Sequence, residues 1–436
     1  MIWLTGRRSA AAYNRRLMKP ASLCDHIVRA AAESPDRPAL IAGDRQWSFA
    51  DLAAPSIDRA PADRTPLARS GGSLELALDA YRCSAAGRTF FPLPPERPVP
   101  SLAACPTDTA LIISTSGSEG TPRAVLLGVT QLDAAAAAAN ACLGLRAGDL
   151  WLNCLPLYHI GGLSILWRCA RAEATVLLHE GFDIQAIAAD LRTRPVTHMS
   201  LVPAMLGRLL DHGIVPPATL RAVLIGGAAL SAPLHQRATT AGWPLYVSYG
   251  MSETAALLTA FGPNDGPWRE GLVGRPMPGH AVRIAADGRI RIRGPQIMAG
   301  YLEPGVGSPD ADGWLTTGDL GEIDDSGCLT VLGRADDMLI SGGRNIHPQE
   351  IESCLAGCPG IVDIAVTGQP DPVWGDLVVA LFVGNVAAEA LIAHARRHLP
   401  SAAVPRRVRR LDRLPRNAAG KLERSALRRL AQEAAA

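Results

Sequence analysis

Short apolar runs that stop abruptly at glycine and hydroxyl residues constrain this chain more than any other feature. Ala110-Leu111-Ile112-Ile113 breaks into Ser-Thr-Ser-Gly, residues 220–225 run into Gly226-Gly227, and residues 244–247 run into Ser-Tyr-Gly. A strand covered on both faces is apolar throughout instead of alternating, so each run reads as a buried parallel strand entering a loop. The alanine-rich stretch 134–139 behind Asp133 reads as a helix with Asp133 as its N-cap. At 282–292 the pattern changes: VRI, an Asp287-Gly288 turn and RIRI alternate as an antiparallel hairpin with one wet face. Beyond Arg334 comes a smaller α+β stretch, with a helix near 348–356, strands at 361–366 and 377–383, and a helix near 387–398. A parallel α/β body, antiparallel strands packed on it and a smaller α+β unit follow from this order, with a boundary at Ala335-Asp336-Asp337.

Bulk properties remove whole classes of function. With 436 residues, 48% of them hydrophobic, 19% charged and a net charge of +2, the chain can bury large cores. It has no global reason to seek nucleic acid or a membrane. No apolar stretch reaches the ~18 residues of a spanning helix. The first twenty residues are basic and lack the apolar core of a signal peptide, so residues 1–20 read as a disordered extension or an over-long start. Nine cysteines form no CxxC pair and no zinc-finger spacing, which fits reduced thiols in a cytoplasmic protein.

Of 43 lysines and arginines only two are lysines, Lys19 and Lys421. Lys421 sits in NAAGKL, within a basic stretch (405–429) holding nine arginines against Asp412 and Glu423. That stretch reads either as a solvated face or as an electropositive flap over a polyphosphate.

The loop STSGSEGTPR (114–123) can turn backbone N–H groups and hydroxyls onto phosphate oxygens. It is not a Walker A loop, which needs Gly-Lys-Ser/Thr, and Ser116 stands where a nucleophile elbow would need glycine. IGGAAL (225–230) places small residues at a strand end where a flat base can approach the backbone. YGMSET (249–254) offers an aromatic face, hydroxyls and a carboxylate on one turn. TTGDLGEI (316–323) and GRADDMLISGGRNIHPQEIE (333–352) bring acids and an arginine suited to ribose and phosphate.

In this order, with PLYHIGG at 156–162 and NAAGK near the end, the sequence resembles the AMP-forming acyl-CoA synthetases of the adenylate-forming superfamily, over roughly residues 21–430. PLYHIGGLSILWR (156–168) and SLVPAMLGRLL (200–210) look most like the o-succinylbenzoate–CoA synthetases of menaquinone synthesis. The resemblance implies a large N-terminal α/β domain (21–335) of packed sheets and helices with a small β-barrel-like subdomain, and a smaller mobile α+β C-terminal domain (336–436). It implies ATP, Mg²⁺ and CoA, a small-molecule carboxylic acid, no nucleic acid or membrane partner, and a monomer or homodimer in the cytoplasm.

The same resemblance assigns roles. Ser114, Thr115, Ser116, Gly117, Ser118 and Gly120 would hold the β- and γ-phosphates of ATP. Gly227, Ala228, Tyr249 and Gly250 would border the adenine, with Tyr249 stacked on it. Thr254 would touch the α-phosphate or the substrate carboxylate, and Glu253 would bind Mg²⁺. Asp319 and Arg334 would hold the ribose, Asp336 would be the hinge, and Gly342 and Gly343 would border the pantetheine tunnel. Lys421 would reach into the adenylation site, where a compact ammonium on a slim stem fits and a forked guanidinium does not. His159 would gate the acyl pocket and hydrogen-bond the acid.

Arg168 either faces a second carboxylate on that acid or serves as a structural ion-pair partner. Four residues depart from the pattern: Arg123 closes the phosphate loop in place of lysine, Arg344 replaces a common glutamate, and Gly161 and Leu257 replace hydroxyl-bearing residues. The last two make the acid pocket drier, which leaves a plain aromatic or medium-chain acid as an alternative to o-succinylbenzoate. The same motifs also serve enzymes that load a carrier protein's phosphopantetheine.

Overall fold

In the computed structural model, which describes residues 20–54, 65–100, 105–115, 123–303, 307–416 and 422–433, the apolar runs lie at the centre of sheets. Ala222–Ile225 is flanked in parallel by His198–Leu201 and Leu245–Tyr249. Leu150–Asn153, Thr175–Leu178 and Pro38–Ala42 continue the parallel series, and Arg45–Ser48 closes that edge antiparallel. Past Leu245–Tyr249 the same thirteen-stranded sheet turns antiparallel through Thr259–Phe261 and Leu272–Pro276. It then runs on through Leu329–Arg334, Leu315–Ile323, Arg289–Arg293 and Ala281–Ile284. The hairpin read at 282–292 is the last pair, with Gly288 at φ 80° in its turn, a conformation glycine adopts without penalty.

Thr109–Ser114 departs from the expectation of a purely parallel strand. It pairs in parallel with Phe90–Leu93 but antiparallel with Ala124–Gly128, inside a separate five-stranded sheet. The strands before and after the candidate phosphate loop therefore form the two arms of a hairpin. The alanine-rich helix also differs: it spans Val129–Leu143, with Gly128 as N-cap and the Gln131 side chain accepting the Gly128 N–H at 3.0 Å. Asp133 lies inside the helix and accepts bonds from Ala21 N, His26 Nε2 and Arg171. Those long-range partners, absent from any local pattern, explain why it is not the cap.

One core joins the thirteen-stranded sheet to its helices. In the helix Ile160–Ala172, Leu163, Ile165 and Leu166 are fully buried, each worth roughly 1.5–3 kcal/mol. From Leu339 onward a third sheet of five strands has its own two cores. Helices Pro348–Ala356 and Ala388–His398 cover one face, and Leu414, Leu427 and Ala431 cover the other. No helix among the described residues is long and apolar enough to cross a membrane.

Candidate active site

Ser114 and Thr115 close the neck of the phosphate hairpin. Ser114 pairs across from Ala124, Thr115 N donates to Arg123 O at 2.8 Å, and Arg97 donates to Ser114 Oγ at 2.8 Å. Ser116, Gly117, Ser118 and Gly120 lie outside the described residues, as does Lys421. Arg123 sits 5.8 Å from the ring of Tyr301, whose hydroxyl donates to Glu253 Oε1 at 2.7 Å. Burial, reinforced by that carboxylate, pushes the Tyr301 phenol above its ordinary range, so it stays a donor. The hairpin neck and the Glu253 turn thus meet at Tyr301.

Tyr249 ends its strand, and its hydroxyl donates to Asp319 Oδ2 at 2.7 Å. Arg334, opposite Asp319 in the neighbouring strand, donates to Asp319 Oδ1 at 3.4 Å. Burial first, then the Asp319 charge, raises the Tyr249 phenol well above 10. Gly227 (φ 78°) and Ala228 are exposed at the end of the adjacent strand, where the backbone stays open to a flat ring. After Tyr249 the chain doubles back so tightly that a Cβ on Gly250 would lie 1.5 Å from Ala256 O. No other residue fits there.

Thr254 requires a correction. It is fully buried; its hydroxyl accepts Met251 N at 2.9 Å and lies 3.0 Å from the carbonyls of Met251 and Ala256. A hydroxyl committed to its own turn and cut off from solvent does not meet a phosphate or a substrate carboxylate in this conformation. Ser252, two residues earlier, is half-buried and leaves its hydroxyl outside that network.

Glu253 is half-buried, and among the described residues Tyr301 bonds one of its carboxylate oxygens. A single hard oxygen ligand fits Mg²⁺, which keeps waters and takes phosphate oxygens instead of a full protein cage.

At the other end, His159 is the N-cap residue of Ile160–Ala172 and is half-buried, its ring tilted against Tyr158 at 4.8 Å. Arg168 lies nine residues on in the same helix and is 2% exposed. Its guanidinium stands 5.5 Å over the Trp151 ring, one nitrogen is wholly buried without a partner, and no carboxylate among the described residues pairs with it. Burial lowers its pKa to about 10, leaving it charged at neutral pH. The structural ion-pair reading of Arg168 therefore fails. Asn140 Oδ1, Trp151 Nε1 and Ser164 Oγ are likewise buried without partners.

Ala335–Asp337 forms a single tight turn. Arg334 donates to Asp336 Oδ2 at 3.3 Å, while Arg424 and Arg428 reach Asp337 at 3.4 and 3.3 Å. Gly342 (φ 58°) packs under Trp374, where a Cβ would lie 3.2 Å from the ring; Gly343 (φ 74°) faces open space. Farther along the same contact, Ser353 on Pro348–Ala356 donates to Glu270 of the large body.

Residues 56–302 match the family described as AMP-binding enzyme, and residues 350–421 match its C-terminal domain. The 2-succinylbenzoate–CoA ligase of Bacillus cytotoxicus is 37% identical over 337 residues, 74% of this chain and 70% of that protein. The chain belongs to the AMP-binding enzyme family. The structure of the Bacillus subtilis o-succinylbenzoate CoA synthetase (MenE) with its acyl-adenylate intermediate OSB-AMP superposes with a TM-score of 0.82 at 28% identity, covering 92% of this chain and 97% of that one. The same enzyme with ATP and magnesium ion gives 0.83, with 92% and 98% covered. ATP-bound MatB from Rhodopseudomonas palustris, 23% identical, shares the fold at 0.83.

Within this AMP-binding fold, Ser114, Thr115, Tyr249, Glu253, Asp319 and Arg334 come from four strands and the turns that follow them. Thr115 reaches Glu253 through Arg123 and Tyr301, and Tyr249, Asp319 and Arg334 contact one another directly. Sequence reading missed Ser252, Tyr301 and Arg97. Ser252 was legible as the hydroxyl beside Glu253; Tyr301 and Arg97 carry no local motif and enter only through packing.

Proposed function

We propose that this chain is an ATP- and Mg²⁺-dependent, AMP-forming ligase that joins an aromatic acid carrying a second carboxylate, of the o-succinylbenzoate kind, to CoA. The buried, unpaired guanidinium of Arg168 carries the choice of acid. Leaving a charge buried and uncompensated costs several kcal/mol, and a ligand carboxylate is the missing counter-charge. The 2-succinylbenzoate–CoA ligase names of the relatives point the same way.

In the first half-reaction a carboxylate oxygen of the acid attacks the α-phosphorus of ATP and pyrophosphate leaves. In the second, the CoA sulfur, having lost its proton, attacks the acyl carbonyl and AMP leaves. Ser114, Thr115, Ser116, Gly117, Ser118 and Gly120 would cradle the leaving phosphates. Ser252, in place of Thr254, would donate to phosphate, while Asp319, Arg334 and Tyr249 would orient the nucleoside. Mg²⁺ on Glu253 would neutralise phosphate charge. Lys421 would stabilise the negative charge that builds at the α-phosphate. The small body from Asp336 onward would turn about that residue between the half-reactions. The nine free thiols fit a reducing, cytoplasmic setting.

Pyrophosphate release measured over o-succinylbenzoate, benzoate and a medium-chain acid, with CoA withheld or added, tests the reading. Release on o-succinylbenzoate without CoA, and thioester only with it, is expected. Faster turnover of the other acids would end the dicarboxylate assignment. Acylation of a phosphopantetheinylated carrier protein but not of CoA would end the acceptor assignment.

A further inference from the structure

The turn that presents Ser252 and Glu253 is strained. Ala255 and Ala256 hold φ of 49° and 94°, and among the described residues only Glu173 is another non-glycine with positive φ. Such conformations persist only where surrounding structure imposes them. Beside the turn's own bonds, a fully buried side chain from a distant segment, Gln296, holds it from outside. Its Nε2 donates to Thr254 O at 2.8 Å and to Leu257 O at 2.6 Å, the carbonyls on either side of the strained pair. Both neighbours are acceptors, so only the NH₂ end of the amide can face them. From the same segment, Met298 N donates to Glu253 O at 2.8 Å and the Tyr301 hydroxyl donates to Glu253 Oε1 at 2.7 Å. One short stretch of chain therefore pins the turn at four points.

We infer that Gln296 is a positioning residue for adenylate formation: its amide holds the Ala255–Ala256 turn in its strained form and so sets the Glu253 carboxylate and the Ser252 hydroxyl. The inference rests on the reading of Glu253 as the Mg²⁺ ligand. Without the amide, two buried carbonyls lose their donors, the turn relaxes towards negative φ, and Glu253 moves with it. The second half-reaction needs neither group in that place.

Gln296→Met keeps the side-chain length and removes both donors. Adenylation at saturating ATP is expected to fall about ten- to a hundred-fold, with a several-fold higher Mg²⁺ concentration needed for half-maximal pyrophosphate release. Thioester formation from supplied acyl-adenylate should stay within about two-fold. Adding Ala256→Gly should restore most of the adenylation rate, because glycine adopts φ near 94° without strain and needs no clamp. If Gln296→Met does not fold, Gln296→Glu, which keeps the polarity but faces the carbonyls with an acceptor, must show the same split. Equal loss in both half-reactions, an unchanged Mg²⁺ requirement, or no rescue by Ala256→Gly would each overturn the inference. Glu253→Gln separates the two claims. If it leaves the Mg²⁺ requirement unchanged, the metal reading itself falls. If it raises the requirement while Gln296→Met does not, only the role of Gln296 falls.

Discussion

The Tyr249–Asp319–Arg334 cluster, proposed for the nucleotide, and the surroundings of Arg168, proposed for the acid, differ in how their buried polar groups are paired. Tyr249, Asp319 and Arg334 are joined to one another by hydrogen bonds, and the Thr254 hydroxyl is committed to its own turn. Around Arg168 the guanidinium, Asn140 Oδ1, Trp151 Nε1 and Ser164 Oγ all lack one. The first cluster is organised before any ligand arrives, which in the proposed role would limit the entropy lost on binding ATP. The second stores an unmet electrostatic demand, and such a demand discriminates strongly: a site built to pair a group rejects ligands that lack it.

The largest effect is expected at Lys421, the residue proposed to act at the α-phosphate. Lys421→Ala should lower adenylation about 10²–10³-fold while sparing thioester formation from supplied acyl-adenylate; equal loss in both halves would remove the role given to the lysine. Arg168→Ala should cut kcat/KM for o-succinylbenzoate roughly ten- to a hundred-fold and barely change benzoate, the value of one charge-assisted contact. A uniform slowing over all acids would return Arg168 to a structural role.

Thermal melts without ligand sharpen the contrast, because the two ends should move in opposite directions. Asp319→Asn weakens a satisfied network and should destabilise by about 1–3 kcal/mol. Arg168→Met removes an uncompensated buried charge and should be neutral or stabilising, by up to about 4 kcal/mol. Destabilisation by Arg168→Met would mean that the guanidinium is satisfied after all.

The smallest effect concerns the contact between the two bodies. Burial raises the Glu270 carboxyl from 4.5 to about 7, outweighing its bond from Ala232 N, and Glu352 adds to the rise. A raised carboxyl binds more protons in the packed state than when released. Its contribution is therefore full below pH 4.5 and lost as the pH climbs through about 7. The contact with Ser353 should loosen slightly over that window, read as faster amide exchange in Pro348–Ala356, and Glu270→Gln should flatten the dependence. An unaltered slope in that variant would assign the effect to another group.

Much of the site was legible because its loops follow buried strands, and an apolar run ending in small residues advertises itself. The hairpin at 281–293, the helices Pro348–Ala356 and Ala388–His398 and the two strands between them were legible for the same reason, since periodicity and turn residues agree there. The short strands Leu339–Ser341, Arg344–Ile346 and Arg407–Arg410 and the helix Arg424–Glu433 were not read. The helix Val129–Leu143 was misread at its start because the polar demand on Asp133 comes from Ala21, His26 and Arg171, far away in sequence. Thr254 was misassigned because a hydroxyl inside a motif looks the same whether it faces the ligand or its own turn.

The sequence by itself determined which residues are present in which order: the hydroxyl- and glycine-rich strand ends, Glu253, Asp319, Arg334 and the lone lysine of the C-terminal stretch. Those are properties of local pattern and chemistry. Whether a polar group is satisfied depends on what packs against it, and packing is long-range. Only the tertiary structure decided that Arg168 is buried without a counter-charge among the described residues, that Thr254 braces a turn, and that Gln296 bonds across a strained bend some forty residues away in sequence.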